Sequence, residues 1–276
     1  MRKVVKPMIP AWFVAVRGEV SRSAAILLGV VPVALLILLW WILTLGPAEE
    51  RSIAPTILPS PGEVLQSVPE LLTDRNLLLH IGASLQRVGL SYLLALAIVF
   101  PLGILMGAFG SASAAFTPVV TASGYVPIAT LVPLTMSWFG TGELQKIIFL
   151  AMAFGIYLLP LVAKAIDAVP DVYLRTAFTL GASRFQIVRR VLVPVALPDI
   201  WHSMRLAFGV GWTYLVLAEV VVLVDGLGYL IEISRRRGPR EHIYLTIIVI
   251  SLISWIADQA WGQLGSRLFP YRRSRA

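Results

Sequence analysis

The stretch from Val88 to Gly142 constrains the fold of this chain most, because its 55 residues include no Asp, Glu, Lys or Arg. A helix needs about 20 apolar residues to cross roughly 30 Å of hydrocarbon, so this stretch is too long for one crossing and fits two. The small-residue run 110–113 predicts the turn between them. Over the whole chain, 58% hydrophobic and 14% charged residues, with a mean hydropathy of +0.82, fit no water-soluble class. The sequence therefore predicts a membrane protein.

The predicted fold class is all-α, a polytopic membrane protein with six transmembrane helices. The first span has 22 residues without a charge. A cleaved signal peptide is its alternative interpretation, but the apolar run exceeds the usual length and no small-residue cleavage site follows Leu45. The six predicted spans are residues 24–45, two crossings within 88–142, and residues 144–166, 198–224 and 243–264.

The distribution of charge predicts that both termini lie inside. With that orientation, 15 of the 23 basic residues but only four of the 15 acidic residues face the cytoplasm, as the positive-inside rule requires. The net charge of +8 therefore reflects orientation and not nucleic-acid binding. The predicted segments are a cytoplasmic N-terminal segment (1–23), the first span (24–45), a periplasmic segment (46–80), a five-span core (81–264) with a cytoplasmic loop (167–197), and a cytoplasmic tail (265–276).

Catalytic and metal-binding patterns are missing from the sequence. The chain has no cysteine, and its three histidines are far apart, so no metal site is predicted. None of the four lysines follows a glycine, which excludes the GxxxxGK[ST] phosphate loop. Neither GxSxG nor SxxK occurs. We expect a non-catalytic chain that binds no cofactor of its own.

The loop between spans four and five is predicted to contain two short amphipathic helices joined by a tight turn, within residues 170–194. Asp171 is a suitable N-cap for the first helix, and Gly181 is suited to end it in a left-handed conformation. Ser183 is suited to cap the second helix, which Pro194 is expected to end. Such a loop either lies on the membrane surface, its arginines only following the positive-inside rule, or offers an apolar knob to a partner protein.

The spacing of Ala177, Gly181, Val191 and Pro194 resembles the EAA loop of permease subunits from bacterial ATP-binding cassette (ABC) importers. In that family an EAA start is followed by three residues, a glycine, nine residues and an Ile-x-Leu-Pro ending. Here Arg175 stands where the family has glutamate. We call residues 167–197 the coupling loop. The resemblance implies that it contacts the ATPase through Arg175, Ala177, Phe178, Gly181, Ala182, Ser183, Arg184, Phe185 and Pro194.

Further fragments follow the family pattern in order, at residues 58–64, 127–134, 138–143, 218–219 and 226–230. The resemblance covers residues 55 to 235 and is greatest to the nitrate, sulfonate, taurine and bicarbonate branch. It implies a type I ABC importer permease fold in the bacterial cytoplasmic (inner) membrane, acting as a homodimer or with a similar partner in the lipid bilayer.

The resemblance also implies partners and a mechanism. Two cytoplasmic ABC ATPase subunits would bind ATP and Mg, and a periplasmic or extracellular solute-binding protein would deliver the solute. ATP-driven alternating access would then import a small anionic solute. The alternatives are an ion-coupled secondary transporter, for which two isolated acids within spans, Glu219 and Asp258, make a weak case, and a structural membrane scaffold.

Small, kinking and polar residues crowd the middle spans, where they serve either close helix packing or a path through the protein. For Glu219 the alternative to gating is a hydrogen bond to the backbone of the Asp225-Gly226 turn. For Asp258 we expect a pair with an arginine at the inner interface. The candidate pathway or gate residues are Tyr125, Pro127, Thr130, Thr135, Arg205, Trp212 and Glu219.

Three consecutive arginines, Arg235, Arg236 and Arg237, oppose the predicted orientation because they fall in an outer loop. They are either a tolerated exception to the positive-inside rule or a cationic outer mouth that attracts anions.

Overall fold

A computed structural model of the protein describes residues 20–51, 53–221 and 224–271, and every regular element in these ranges is helical. The predicted all-α fold class is confirmed. Most of the predicted N-terminal segment, before residue 20, and the end of the predicted tail, after residue 271, lie outside the described residues. The chain forms two compact units, one ending at Gln66 and one beginning at Ser67. This boundary falls inside the segment 46–80 that the sequence predicts as one periplasmic stretch.

The first unit contains a long apolar helix, α1 (Arg22–Leu43), and a short one, α2 (Pro61–Gln66). Helix α1 begins two residues before the start of the predicted span and ends two residues before its end. None of its residues is buried. An apolar helix with no buried side chain needs lipid or another protein around it.

Two contacts fold the rest of this unit back on itself. The indole N–H of Trp40 donates to the carbonyl of Pro59 at 2.9 Å. The Arg51 guanidinium pairs with the Glu63 carboxylate at 2.9 Å, which holds the pKa of Glu63 below its usual range.

The second unit opens with the short helix α3 and then alternates long apolar helices with short connecting ones. In chain order its elements are α3 (Val68–Thr73), α4 (Leu77–Ala108), α5 (Gly110–Gly124), a 3-10 turn (Ile128–Thr130), α6 (Leu131–Phe139), α7 (Glu143–Asp167), α8 (Asp171–Thr179), α9 (Arg184–Ile187), a π turn (Val188–Leu192), α10 (Val193–Val221), α11 (Leu227–Arg237) and α12 (Arg240–Leu268).

Five described helices are long and apolar enough to cross a membrane: α1, α4, α7, α12 and the continuous helix Arg184–Val221. Helix α5 and the segment Ile128–Phe139 form a pair bent by 88°, which gives a sixth crossing if it counts as one. The prediction of six spans is thus met, with the third one broken. The predicted turn at 110–113 is displaced, because a single extended residue, Phe109, redirects the chain and residues 110–113 already belong to α5.

Glycines bring the central helices of the second unit into close contact. A Cβ on Gly107 of α4 would lie 2.6 Å from the Cβ of Ile166 on α7, and one on Gly211 of α10 would overlap the ring of Phe154. At these positions the small residues serve helix packing, as the first of the two sequence interpretations expects.

Candidate functional site

A partly buried cluster of charged side chains joins α4, α7, α10 and the turn before α11. We name it the Arg87 cluster: Arg87, Glu143, Lys146, Glu219 and Asp225. Arg87 donates to Glu143 Oε2 at 2.5 Å and to Glu219 Oε1 at 2.7 Å, and it also pairs with the Asp225 carboxylate. Lys146 Nζ donates to Glu143 Oε1 at 2.9 Å. The side chains of Arg87 and Glu219 are 2% and 0% exposed, so each charge depends on the other for compensation where water is excluded.

Glu219 also organises the backbone of the turn before α11. Its Oε2 accepts from the Gly228 N–H at 2.8 Å, while its Oε1 accepts from the Ser84 hydroxyl at 2.7 Å. The Gly226 N–H donates to His80 Nδ1 at 3.0 Å. Gly226 has φ +108°, and a Cβ there would overlap the Glu219 carboxylate, so this turn requires glycine.

These contacts confirm the hydrogen bond expected between Glu219 and the backbone next to the Asp225-Gly226 turn. Arg87 is the member that sequence reasoning missed. Its partners Glu143, Glu219 and Asp225 lie 56, 132 and 138 residues further along the chain. The available signal was a lone arginine directly before an uncharged stretch of 55 residues.

The coupling loop contains the two predicted helices, α8 and α9. Gly181 has φ +78° and ends α8 in a left-handed conformation, as predicted. Ser183 caps α9 in a full capping box: its Oγ accepts from the Gln186 N–H at 3.4 Å, and the Gln186 side chain accepts from the Ser183 N–H at 2.8 Å. The predicted cap by Asp171 is wrong, because Pro170 is the N-cap and Asp171 is already the first helical residue.

Pro194 does not end the second helix, which corrects the sequence prediction. The π turn at Val188–Leu192 widens the helix immediately before it, and the Val193 N–H donates to the Val188 carbonyl. A proline that follows such a widened turn avoids much of the clash with the preceding carbonyls. The helix therefore continues from Arg184 to Val221.

Large apolar side chains of the coupling loop are exposed. Phe178, Leu180 and Phe185 are 55%, 82% and 71% exposed. Of the other predicted contact residues, Ala177 is buried, Ala182 is half-buried, and Arg184 is exposed. Arg175 is exposed and lies 3.7 Å from Asp171, one turn earlier on α8.

Apart from Arg205, the predicted pathway residues fall into two groups. Thr135 and Trp212 are buried within the chain, and the Thr135 hydroxyl donates to the Leu131 carbonyl at 2.8 Å. These two side chains, like that of Glu219, are packed inside the chain in this structure, and their place on a path stays a prediction. The exposed group lies at the 88° bend between α5 and α6 and consists of Tyr125, Pro127 and Thr130.

Arg205 pairs with Asp258 of α12 through two hydrogen bonds of 2.5 Å. The expected arginine partner of Asp258 is therefore confirmed. The side chains of Arg205 and Asp258 are 32% and 42% exposed, in contrast to the buried pair between Arg87 and Glu219.

The three arginines at the end of α11 are exposed, but two of them are paired. Arg235 and Arg236 both donate to the Glu232 carboxylate, at 2.6 and 2.5 Å. These hydrogen bonds lower the pKa of Glu232 to about 2. Among the described residues, Arg237 has no ion-pair partner, so the cationic character of this surface is smaller than the sequence suggests.

The sequence of this chain is similar to those of known membrane transport proteins. Residues 99–268 fit the family described as binding-protein-dependent transport system inner membrane component. The chain is 31% identical over 260 residues to the taurine transport system permease protein TauC of Escherichia coli (strain K12), covering 92% of each chain. It is 29% identical over 201 residues to the nitrate import permease protein NrtB of Leptolyngbya laminosa, covering 72% of this chain and 71% of the relative.

The fold is similar to that of a chain in the inward-facing MetNI methionine ABC transporter. The TM-score is 0.64 at 18% identity, covering 73% of this chain and 98% of that one. The range matched by the family, residues 99–268, includes the coupling loop and the turn before α11. The chain belongs to the family of binding-protein-dependent transport system inner membrane components, the permease subunits of ABC transporters.

Proposed function

We propose that this chain forms the translocation path for a small solute that carries an oxyanion group, of the nitrate, sulfonate, taurine or bicarbonate type. The observation that carries the proposal is the likeness to TauC over 92% of both chains. The likeness to the nitrate permease NrtB supports the same class of solute.

The proposed assembly contains two copies of this chain in a bacterial cytoplasmic membrane, with both termini on the cytoplasmic side. Two separate ABC ATPase subunits bind ATP and Mg and hydrolyse the nucleotide, and a solute-binding protein delivers the solute from outside. The absence of a GxxxxGK[ST] motif from the sequence supports an energy supply from another chain.

In this assembly the coupling loop docks onto the ATPase. The exposed side chains of the loop support this docking. Phe178, Leu180 and Phe185 expose a large apolar surface on one loop, as is typical of protein-interaction sites. The left-handed Gly181 and the capping box at Ser183 fix the angle between α8 and α9, so the apolar side chains are presented on a preorganised frame.

ATP-driven uptake tests the proposal. The chain is reconstituted in proteoliposomes with its ATPase and solute-binding protein, and the entry of radiolabelled taurine and nitrate is measured with and without ATP. We expect uptake of at least one of them that requires ATP. Uptake that does not depend on ATP but requires an imposed proton or sodium gradient would establish the secondary-transporter alternative instead.

A loop variant tests the docking. Phe185→Ala is expected to reduce both co-purification of the ATPase and ATP-driven uptake, because it removes the exposed aromatic ring. Leu65→Ala is the matched control, since Leu65 is 69% exposed but lies in α2 of the first unit. Equal effects of the two substitutions would contradict docking through the coupling loop.

A further inference from the structure

A cavity of about 330 Å³ lies between α5 and α7, at the end of α7 that leads into the coupling loop. Ser113, Thr117 and Thr121 of α5 line it, and their spacing of four residues places their hydroxyls along one face of that helix. Lys164 and Asp167, in the last turn of α7, line the other side. At about 30 Å³ per water molecule, this volume equals about eleven waters, which is room for a small solute and part of its hydration shell.

The cavity is open to the outside, because Thr117, Thr121, Lys164 and Asp167 are exposed and Ser113 is half-buried. Its polar groups are therefore accessible to a solute. Lys164 and Asp167 are three residues apart on α7, yet neither forms an ion pair with the other or with any group in the described part of the chain. The hydroxyls of Ser113 and Thr117 are 3.4 Å apart, and that of Thr121 has no partner among the described residues.

The charges indicate which chemistry fits. The Lys164 ammonium and the hydroxyl donors suit an oxyanion such as a sulfonate or a carboxylate. Asp167 would repel a simple anion and suits an ammonium group. The last carbonyl groups of α7 strengthen the preference for an ammonium group beside Asp167, because the C-terminal end of a helix carries a partial negative charge.

We propose that this cavity is an inner binding station for a zwitterionic solute with an oxyanion at one end and an ammonium at the other, the ω-aminosulfonates being the fitting class. Lys164 and the hydroxyls of α5 hold the oxyanion, and Asp167 holds the ammonium. The proposal rests on the proposed function, which it narrows from oxyanion-bearing solutes in general to zwitterionic ones.

The absence of cysteine from the sequence offers a direct test. Ser113→Cys places a single thiol in the cavity. Ser111→Cys places one two residues away, in a separate groove against the coupling loop, and serves as the matched control. The complete transporter is prepared in inside-out vesicles, and alkylation of the permease by N-ethylmaleimide is followed by mass spectrometry. The probes are taurine and ethanesulfonate, which lacks the ammonium.

Taurine is expected to protect the cavity thiol. If the dissociation constant is about 1 mM, 10 mM taurine occupies about nine-tenths of the sites and slows alkylation of the Ser113→Cys protein about tenfold. Ethanesulfonate is expected to protect less. Adding Asp167→Asn should make the two probes equal, because only the ammonium contact is lost. Adding Lys164→Gln should abolish protection by both.

Several outcomes would overturn the station: no protection by taurine, equal protection of the Ser111→Cys protein, or an unchanged preference for taurine after Asp167→Asn. ATP-driven taurine uptake, measured on proteoliposomes of the same preparation, separates this inference from the proposed function. Uptake without protection refutes the station and leaves the function intact. Protection without ATP-driven uptake of either taurine or nitrate supports the binding site and refutes the proposed function.

Discussion

Replacing Arg87 by methionine removes the guanidinium that pairs with three carboxylates, while keeping an unbranched side chain in the same space. Glu219, whose side chain is fully buried, then keeps only the uncharged Ser84 hydroxyl and Gly228 N–H as partners. Removing one partner of a buried ion pair costs about 3–5 kcal/mol. For a chain of this size, about 2–4 °C of melting temperature corresponds to each kcal/mol, so we expect the melting temperature to fall by about 6–20 °C.

The assay is thermal unfolding of the purified protein in nanodiscs, followed by tryptophan fluorescence. Arg205→Met is the matched control, because Arg205 also pairs with a carboxylate at 2.5 Å but both side chains are about one-third or more exposed. Exposed pairs contribute about 0–1 kcal/mol, so this variant should lose less than about 4 °C.

A second variant separates burial of charge from simple loss of packing. Arg87→Met combined with Glu219→Leu removes both charges of this buried pair and should recover part of the stability lost in Arg87→Met alone. Equal melting temperatures for Arg87→Met and Arg205→Met, or a double variant less stable than the single one, would refute the reasoning that burial decides the strength of this cluster.

Three further predictions concern other parts of the chain. Gly211→Ala should destabilise the protein by about 1–3 kcal/mol in thermal unfolding, because its Cβ would meet an aromatic ring, whereas Gly209→Ala, with nothing within 4 Å of its Cβ, should be tolerated. The pKa of Glu232 is lowered from 4.5 to about 2, so its contribution to stability is present above pH 4.5 and is lost as the pH falls towards 2. The stability difference between the natural protein and Glu232→Gln should therefore shrink over that range. A constant difference would contradict the pairing. Arg175→Glu should weaken co-purification of the ATPase. It should change the free energy of unfolding by less than about 1 kcal/mol, since it exchanges an exposed attraction to Asp171 on one helix for an exposed repulsion. Unchanged binding would place this side chain outside the interface.

Local signals in the sequence predicted local structure well. The left-handed turn at Gly181 and the cap at Ser183 depend on residues within three positions of one another, so the sequence contains the whole determinant. The pair between Asp258 and an arginine was also predictable, because an isolated charge within a span needs a partner.

Features that depend on distant segments were not predictable. The partners of Arg87 come from three other helices and turns, and a single sequence gives no register between them. The same limit explains Thr135 and Trp212, whose burial depends on how α6 and α10 pack. The sequence did not predict that the helix continues past Pro194. The continuation depends on the π turn before Pro194, and a π turn is a backbone adjustment that no residue type specifies.

The helix from Arg184 to Val221 begins at the capping box of the coupling loop and ends two residues after Glu219. Its 38 residues give a helix about 57 Å long. A tilt of about 5° about one end moves the other by about 5 Å, given a rise of about 1.5 Å per residue. Because Glu219 is hydrogen-bonded to Arg87 at 2.7 Å and to the Gly228 N–H at 2.8 Å, that displacement cannot be absorbed by the far end alone. A tilt of this helix that begins at the coupling loop must therefore pivot at the Arg87 cluster, carry its bonded partners along, or break these hydrogen bonds.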